Sequence, residues 1–183
     1  NPTSRKFCRE CATSLEAECL SCSVVMPLWE KVCDSCGAMQ VVLLGERRDS
    51  MVSSQSEAES LLKVYDFDRA TALATALRDE PDLRLQHLKG WAEKFLPQID
   101  QGRQQQLERI SEQLKEAAVH EDAHDHAAAL RVLEQVPEIL RETQASGHSD
   151  TVAGAMNRLQ AIVKEIKRLD SEIRQRVKLR KVD

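Results

Sequence analysis

Phe7-Cys8-Arg9-Glu10-Cys11, Cys19-Leu20-Ser21-Cys22 and Cys33-Asp34-Ser35-Cys36 hold all six cysteines of this 183-residue chain. A two-residue gap lets both sulfurs of a pair face one ion while the intervening backbone N–H groups turn toward them. Zinc takes four such soft ligands in a tetrahedron. The second and third pairs suit one ion: the segment between them carries Pro27 at a turn position, and Gly37 follows the last cysteine, where a knuckle calls for a positive φ. Cys19, Cys22, Cys33 and Cys36 are therefore assigned to one structural Zn2+, held between two short hairpins. Cys8 and Cys11 are left as a second, incomplete site, two ligands short of four and with no histidine nearby. Either a further knuckle precedes Asn1 or this pair is redundant, so one tightly held zinc per chain is expected.

Two other uses of paired cysteines fit less well. A disulfide framework spreads its cysteines to cross-link distant loops, and a redox Cys-x-x-Cys needs a thioredoxin-like βαβ setting, which the sequence lacks. Fewer than about 40 residues cannot hold themselves by burial, so a ribbon of this size depends on its metal. The cysteine distribution divides the chain into a zinc ribbon over 1–44, a Ser-rich linker over 45–56, an α-helical repeat region over 57–145 and a long C-terminal helix over 146–183 that packs on the repeats. The fold class expected is a small zinc-ribbon β module followed by an all-α helical-hairpin repeat domain. A net charge of −4 gives no general case for nucleic acid, and 3% aromatic residues leave little to stack bases on. No apolar run approaches the roughly 20 residues of a membrane span, nothing at the start resembles a signal peptide, and reduced, paired cysteines point to the cytoplasm.

Within the helical part, Val41–Leu44 reads as a last short strand or an apolar lid on the hairpins. Ser54-Gln-Ser-Glu57 reads as a capping box that starts the first helix, with Leu61, Leu62 and Tyr65 on one face. Asp66 or Asp68 caps a second helix carrying Ala70, Leu73, Ala74 and Leu77 at amphipathic spacing, ended by Pro81. Asp82 starts a third with Leu85, Leu88, Trp91 and Phe95, ended near Pro97; a long polar helix then covers 98–120 along Leu107, Ile110 and Leu114. Asp122 to Gln135 presents Ala127, Leu130 and Leu133, and Pro137 breaks it. A shift of 56 residues lays Asp66 on Asp122, Leu77 on Leu133 and Pro81 on Pro137. Such a repeat buries its apolar face by stacking on a neighbour, in the style of tetratricopeptide arrays but without their period or signature.

Ser146 to Ser149 reads as a loop, and the last helix carries Leu159, Ile162, Ile166, Leu169 and Ile173 at the 3-4 spacing of a coiled-coil seam. Two heptads rarely stand alone, so the seam is expected to pack antiparallel on the 98–120 helix. A basic end, Arg174 to Lys181, complements the helix dipole. His120-Glu121-Asp122-Ala123-His124 matches H-E-x-x-H, in which two histidines on one helical face bind zinc and the glutamate activates water. The repeat places Asp122 at an inter-helix turn, which would separate the imidazoles, so a zinc hydrolase through His120, Glu121 and His124 is a minor alternative. Asp66-Phe67-Asp68 echoes the kinase D-F-G without its glycine.

Lys6-Phe-Cys-Arg-Glu-Cys11, Leu15, Cys19-Leu-Ser-Cys22 and Trp29-Glu-Lys-Val-Cys-Asp-Ser-Cys-Gly37 resemble the double zinc ribbons of bacterial multidomain regulators. Followed by Tyr65-Asp-Phe-Asp-Arg-Ala70 and Ala128-Ala-Leu-Arg-Val-Leu-Glu-Gln-Val-Pro137, they resemble the non-catalytic region of large planctomycete-type proteins. In those proteins a Ser/Thr protein kinase or a formylglycine-generating-enzyme-like domain commonly shares the chain. Ala12 and Ser23 stand where such knuckles usually carry glycine. The resemblance implies a non-enzymatic, zinc-binding interaction or scaffolding module whose partners are proteins or other domains of the same chain. The alternative is a nucleic-acid-binding ribbon using Arg5, Lys6, Arg9, Arg47 and Arg48, which acidic Glu10, Glu16, Glu18 and Glu30 interleave. The sequence leaves the oligomeric state open.

Overall fold

The computed structural model describes residues 6–142 and 151–179. A small N-terminal zinc-ribbon region with a two-stranded sheet is followed by a mostly helical region that ends in a long C-terminal helix. Strand β1 (Glu16–Glu18) pairs antiparallel with β2 (Val25–Pro27) in the register Glu16 to Pro27 and Glu18 to Val25. Isolated bridges join Phe7 to Ser14 and Val32 to Met39, so each Cys-x-x-Cys closes its own short hairpin. The helices are α1 (Gln40–Lys63), α2 (Phe67–Arg78), α3 (Lys89–Asp122), α4 (His126–Glu134) and α5 (Val152–Leu179). The chain divides into two compact units after Gln101, within α3.

In the first unit, the Ser-rich stretch 45–56 is not a linker. Helix α1 runs through it from Gln40, and Val41–Leu44 is helical rather than a strand. The serines join the helix instead of breaking it: the hydroxyls of Ser53, Ser56 and Ser60 donate to the carbonyls of Asp49, Val52 and Ser56, four residues back. Ser54 consequently lies inside the helix, and Met39 holds the N-cap position without a side-chain bond. Helix α1 packs on α2 and on the 3-10 turn Leu83–Leu88. Met51, Leu77, Leu85, Leu88 and Ala92 form a core there, with Leu44 and Trp91 against it. The Trp91 and Phe95 rings stack at a centroid distance of 4.6 Å.

Pro97 does not end the third helix, since α3 continues past it. Its missing N–H removes one helical bond, at a cost of about 3 kcal/mol. Burial of Ala92, Phe95 and Ile99 around it opposes that cost, each large apolar side chain contributing about 1.5–3 kcal/mol.

The ribbon is fastened to this helical core by more than the chain. The Arg84 guanidinium, almost buried, donates to the carbonyl of Glu18 at 2.9 Å and to the Asp82 carboxylate at 2.6 Å. Burial opposes the charge on Asp82, but Arg84 outweighs it and holds the carboxyl below its usual range. Within the helical part, Arg47 on α1 meets the buried Glu80 at 2.9 Å.

In the second unit α4 packs against α5. The face that α4 buries is Ala129, Val132 and Leu133; Ala127, expected inside, is exposed. The reason is the helix start. Asp125, not Asp122, caps α4 by accepting from the Ala128 N–H, as Asp66 caps α2 by accepting from Arg69. Each cap follows a residue with positive φ, Tyr65 at 65° and His124 at 59°. Thus the repeat aligns Asp66 with Asp125 at its helix starts and Pro81 with Pro137 at its ends, because α2 has 12 residues and α4 has 9. The single shift of 56 residues matches the helix ends, laying the buried Leu77 on the buried Leu133 and Pro81 on Pro137, but not the helix starts.

The α5 seam is split. Val152, Ala155, Met156 and Leu159 are buried, whereas Ile166, Leu169, Ile173 and Val177 are exposed. α5 packs on α4, and its Arg158 meets Glu121 of α3 at 3.5 Å. The expected loop at 146–149 and the last residues of the basic end lie outside the described residues.

Candidate metal centre

The three Cys-x-x-Cys segments fold alike. The N–H of Cys8, Cys19 and Cys33 donates to the carbonyl five residues on, at 2.8, 2.8 and 3.0 Å. The N–H four residues after each of them, on Ala12, Ser23 and Gly37, donates back to its carbonyl at 3.0, 2.9 and 2.8 Å. Closing this loop forces the donor residue into the left-handed region, with φ of 55°, 58° and 71°. Ala12 and Ser23 therefore adopt the knuckle conformation despite their side chains, at roughly 1–2 kcal/mol each.

Two of the knuckles face each other. The sulfurs of Cys19, Cys22, Cys33 and Cys36 all lie within 4.8 Å of one another, with Cys19 to Cys36 at 3.7 Å and Cys22 to Cys33 at 3.8 Å. A tetrahedron with Zn–S bonds of about 2.3 Å puts its sulfurs about 3.8 Å apart, so the donor set and its spacing fit Zn2+. Among the described residues this is the group of ligand-bearing side chains that converges in this way. Cys8 and Cys11 do not join it; the Cys11 sulfur lies 3.1 Å from the Thr13 hydroxyl. None of the six cysteines is in a disulfide.

Cys19 and Cys33 are buried at the bottom of the site, while Cys22 and Cys36 are at its surface. Desolvation opposes ionisation of Cys19, but the N–H groups of Cys22 and Ser21 and the thiols of Cys22 and Cys33 outweigh it and lower the pKa from 9.0 to about 6. At Cys22 the N–H of Val24 pulls downward, yet the sulfurs of Cys36, Cys19 and Cys33, together with desolvation, push the thiol up to about 12. Charge thus settles on Cys19 before Cys22. Because the bound form needs thiolates, zinc affinity should fall about tenfold or more per unit as pH drops from 8 to 6, Cys22 having to lose its proton throughout. Cys19 adds its own dependence only below about 6. Chelator competition at three pH values measures this; a flat profile would contradict it.

One contact to the cluster comes from a residue that the cysteine pattern does not reveal. Gln40, the first residue of α1, is fully buried, and its Nε2 donates to the Cys19 sulfur at 3.1 Å. Its position between Met39 and Val41 looks like the edge of an apolar strand, and nothing in the spacing marks it.

The other candidate residues are dispersed. His120 and Glu121 lie in the last turn of α3, whereas His124 lies beyond the helix in the left-handed region, so the two imidazoles do not share a helical face. Glu121 meets Arg158 at 3.5 Å instead. Of the basic residues near the ribbon, Lys6 pairs with Glu16 at 3.4 Å and Arg47 with Glu80, and Arg48 donates to the Arg84 carbonyl.

No curated protein and no solved structure matches the chain. A family model, the double zinc ribbon, matches residues 1–37, so the N-terminal part of the chain is a zinc-ribbon module with four cysteines positioned to bind metal.

Proposed function

We propose that the chain is a non-enzymatic protein-interaction module of a larger regulatory protein, in which a Zn2+ held by Cys19, Cys22, Cys33 and Cys36 supports a helical scaffold. A four-thiolate site is closed and leaves zinc no position for a reacting water, as in structural rather than catalytic zinc centres. The separation of His120 from His124 argues against the hydrolase alternative. Ion pairing of Lys6 and Arg47 with nearby acids weakens the case for nucleic acid.

The observation that carries the interaction reading is the uncovered half of the α5 seam. Ile166, Leu169, Ile173 and Val177 are 49%, 45%, 59% and 48% exposed along one side of a helix. A protein that covered them would gain apolar burial of the kind that drives association. The first pair, Cys8 and Cys11, would supply half of a further zinc site on this reading.

The test is pull-down of the full chain against an Ile166→Asp, Ile173→Asp double variant, with Lys167→Asp as a surface control. A stoichiometric protein retained by the wild type and the control, and lost from the double variant, is the expected result. Equal recovery from all three, or a salt-dependent shift of DNA or RNA by the wild type, would overturn the reading.

A further inference from the structure

A glutamine amide is costly to bury unless its polar atoms are paired, and Gln40 is 0% exposed. Each polar atom of its side chain is used. Oε1 accepts from the Leu20 N–H at 3.1 Å, while Nε2 donates to the Cys19 sulfur at 3.1 Å and lies 3.4 Å from the Ala38 carbonyl. The Leu20 N–H can only donate, which fixes the oxygen on that side and leaves the NH2 group toward the sulfur. The backbone N–H of Gln40 donates to the Lys31 carbonyl at 2.8 Å. One residue therefore touches the knuckle of Cys19 and Cys22 through Leu20, the knuckle of Cys33 and Cys36 through Lys31 and Ala38, and one sulfur directly. It does so as the first residue of a 24-residue helix.

The need for such a donor follows from burial. Four thiolates around Zn2+ carry a net charge of −2. The sulfurs of Cys22 and Cys36 can share theirs with solvent, but Cys33 and Cys19 are buried, and of these two Cys19 is the one that Gln40 touches. The charge on Cys19 must be met by protein donors: the N–H groups of Cys22 and Ser21, the latter at 3.4 Å, and the Gln40 amide at 3.1 Å. If filling space were the whole task, methionine, similar in length and without a donor, would serve equally.

On the reading that these four cysteines hold zinc, we propose that Gln40 is the positioning residue of the metal centre. Its amide N–H orients and partly neutralises the Cys19 thiolate, and through it metal occupancy fixes where α1 begins. Outer-shell partners of metal ligands orient the ligand and tune its donor strength, and their loss typically weakens metal binding by about 10–100-fold. Gln40 fits that role with an added consequence: its backbone belongs to α1, so an ordered metal site and an ordered helix start require each other.

The test uses the full chain with Gln40→Met, which keeps the shape and removes the donor, and Gln40→Glu, which keeps the shape and places an acceptor beside the thiolate. Zinc affinity is read by competition with a chromophoric chelator. Co2+ substitution reads the sulfur-to-metal charge-transfer and d–d bands, which report donor strength and which a space-filling role would not move. Both variants should bind zinc about 10–100-fold more weakly, with shifted cobalt bands of four-sulfur intensity. Gln40→Glu should be the weaker of the two. Wild-type affinity and an unshifted cobalt spectrum in either variant would overturn the proposal while leaving the zinc site intact. Failure of the wild type itself to give a thiolate–cobalt band would instead overturn the zinc reading on which it rests.

Discussion

Replacing Cys33 by serine should abolish tight zinc binding and unfold residues 6–39, while most of the helical signal survives. The ribbon on its own buries little: Cys19, Met26 and Cys33, with Ala38 packed against them. Structural zinc sites contribute about 10–16 kcal/mol of apparent binding free energy, far more than three buried side chains can replace. Loss of one ligand takes away the main source of order in that segment. The helical part keeps its own core of Met51, Leu77, Leu85, Leu88 and Ala92. The first turns of α1, ahead of Leu44, depend on Gln40 and should fray. Circular dichroism should therefore show a modest helical loss, and zinc analysis should fall to the background of a metal-free control. Collapse of most of the helicity on chelation or in Cys33→Ser would mean that the bonds from Arg84 to Glu18 and from Gln40 to Leu20 and Cys19 make ribbon and helices a single cooperative unit.

The metal centre was legible in the sequence because its chemistry is local. Two-residue gaps dictate the knuckle, and the knuckle dictates which backbone groups bond and which residue takes positive φ. Even Ala12 and Ser23 obey that closure. The helical part was legible in kind but not in its boundaries. A run of serines looks like a linker, yet serine hydroxyls can satisfy carbonyls within a helix, and the contacts that decide between the two states, Leu44 and Met51 against Leu77 and Leu85, are distant in sequence. Pro97 misled for the same reason: its local cost is readable, while the burial opposing it is not. Asp122 and Asp125 are equivalent as candidate caps by residue type. The left-handed turn at His124 selects Asp125, and that choice moved the buried face of α4 from Ala127 to Ala129. Gln40 and Arg84 were missed because a polar side chain that joins two elements carries no periodic signal.

Leu159→Ala and Ile166→Asp, seven residues apart on one helix, should behave oppositely. The 3-4 spacing of the seam treats the two positions as equivalent, but their surroundings differ. Leu159 is 0% exposed, at the end of the stretch where Val152, Ala155 and Met156 are buried as α5 packs on α4. Truncating it leaves a cavity in a small core, and buried leucine-to-alanine changes cost about 2–5 kcal/mol, a large fraction of the stability of a unit this size. A fall of several degrees or more in the midpoint of the second unit, with a broadened transition, is the expected thermal melt. Ile166 is exposed, so an aspartate there meets water, and its effect on the isolated chain should stay within about 0.5 kcal/mol, as for surface substitutions generally. Glu165 and Glu172 already pair with Arg168 on this stretch, at the helical spacings that support a solvated face. Thermal melts at two protein concentrations, with sedimentation alongside, separate the cases. A stable Leu159→Ala would show that the first half of the seam is not core. A strong, concentration-independent loss of stability in Ile166→Asp would show that the second half packs within the chain, which would remove the surface that the interaction reading requires.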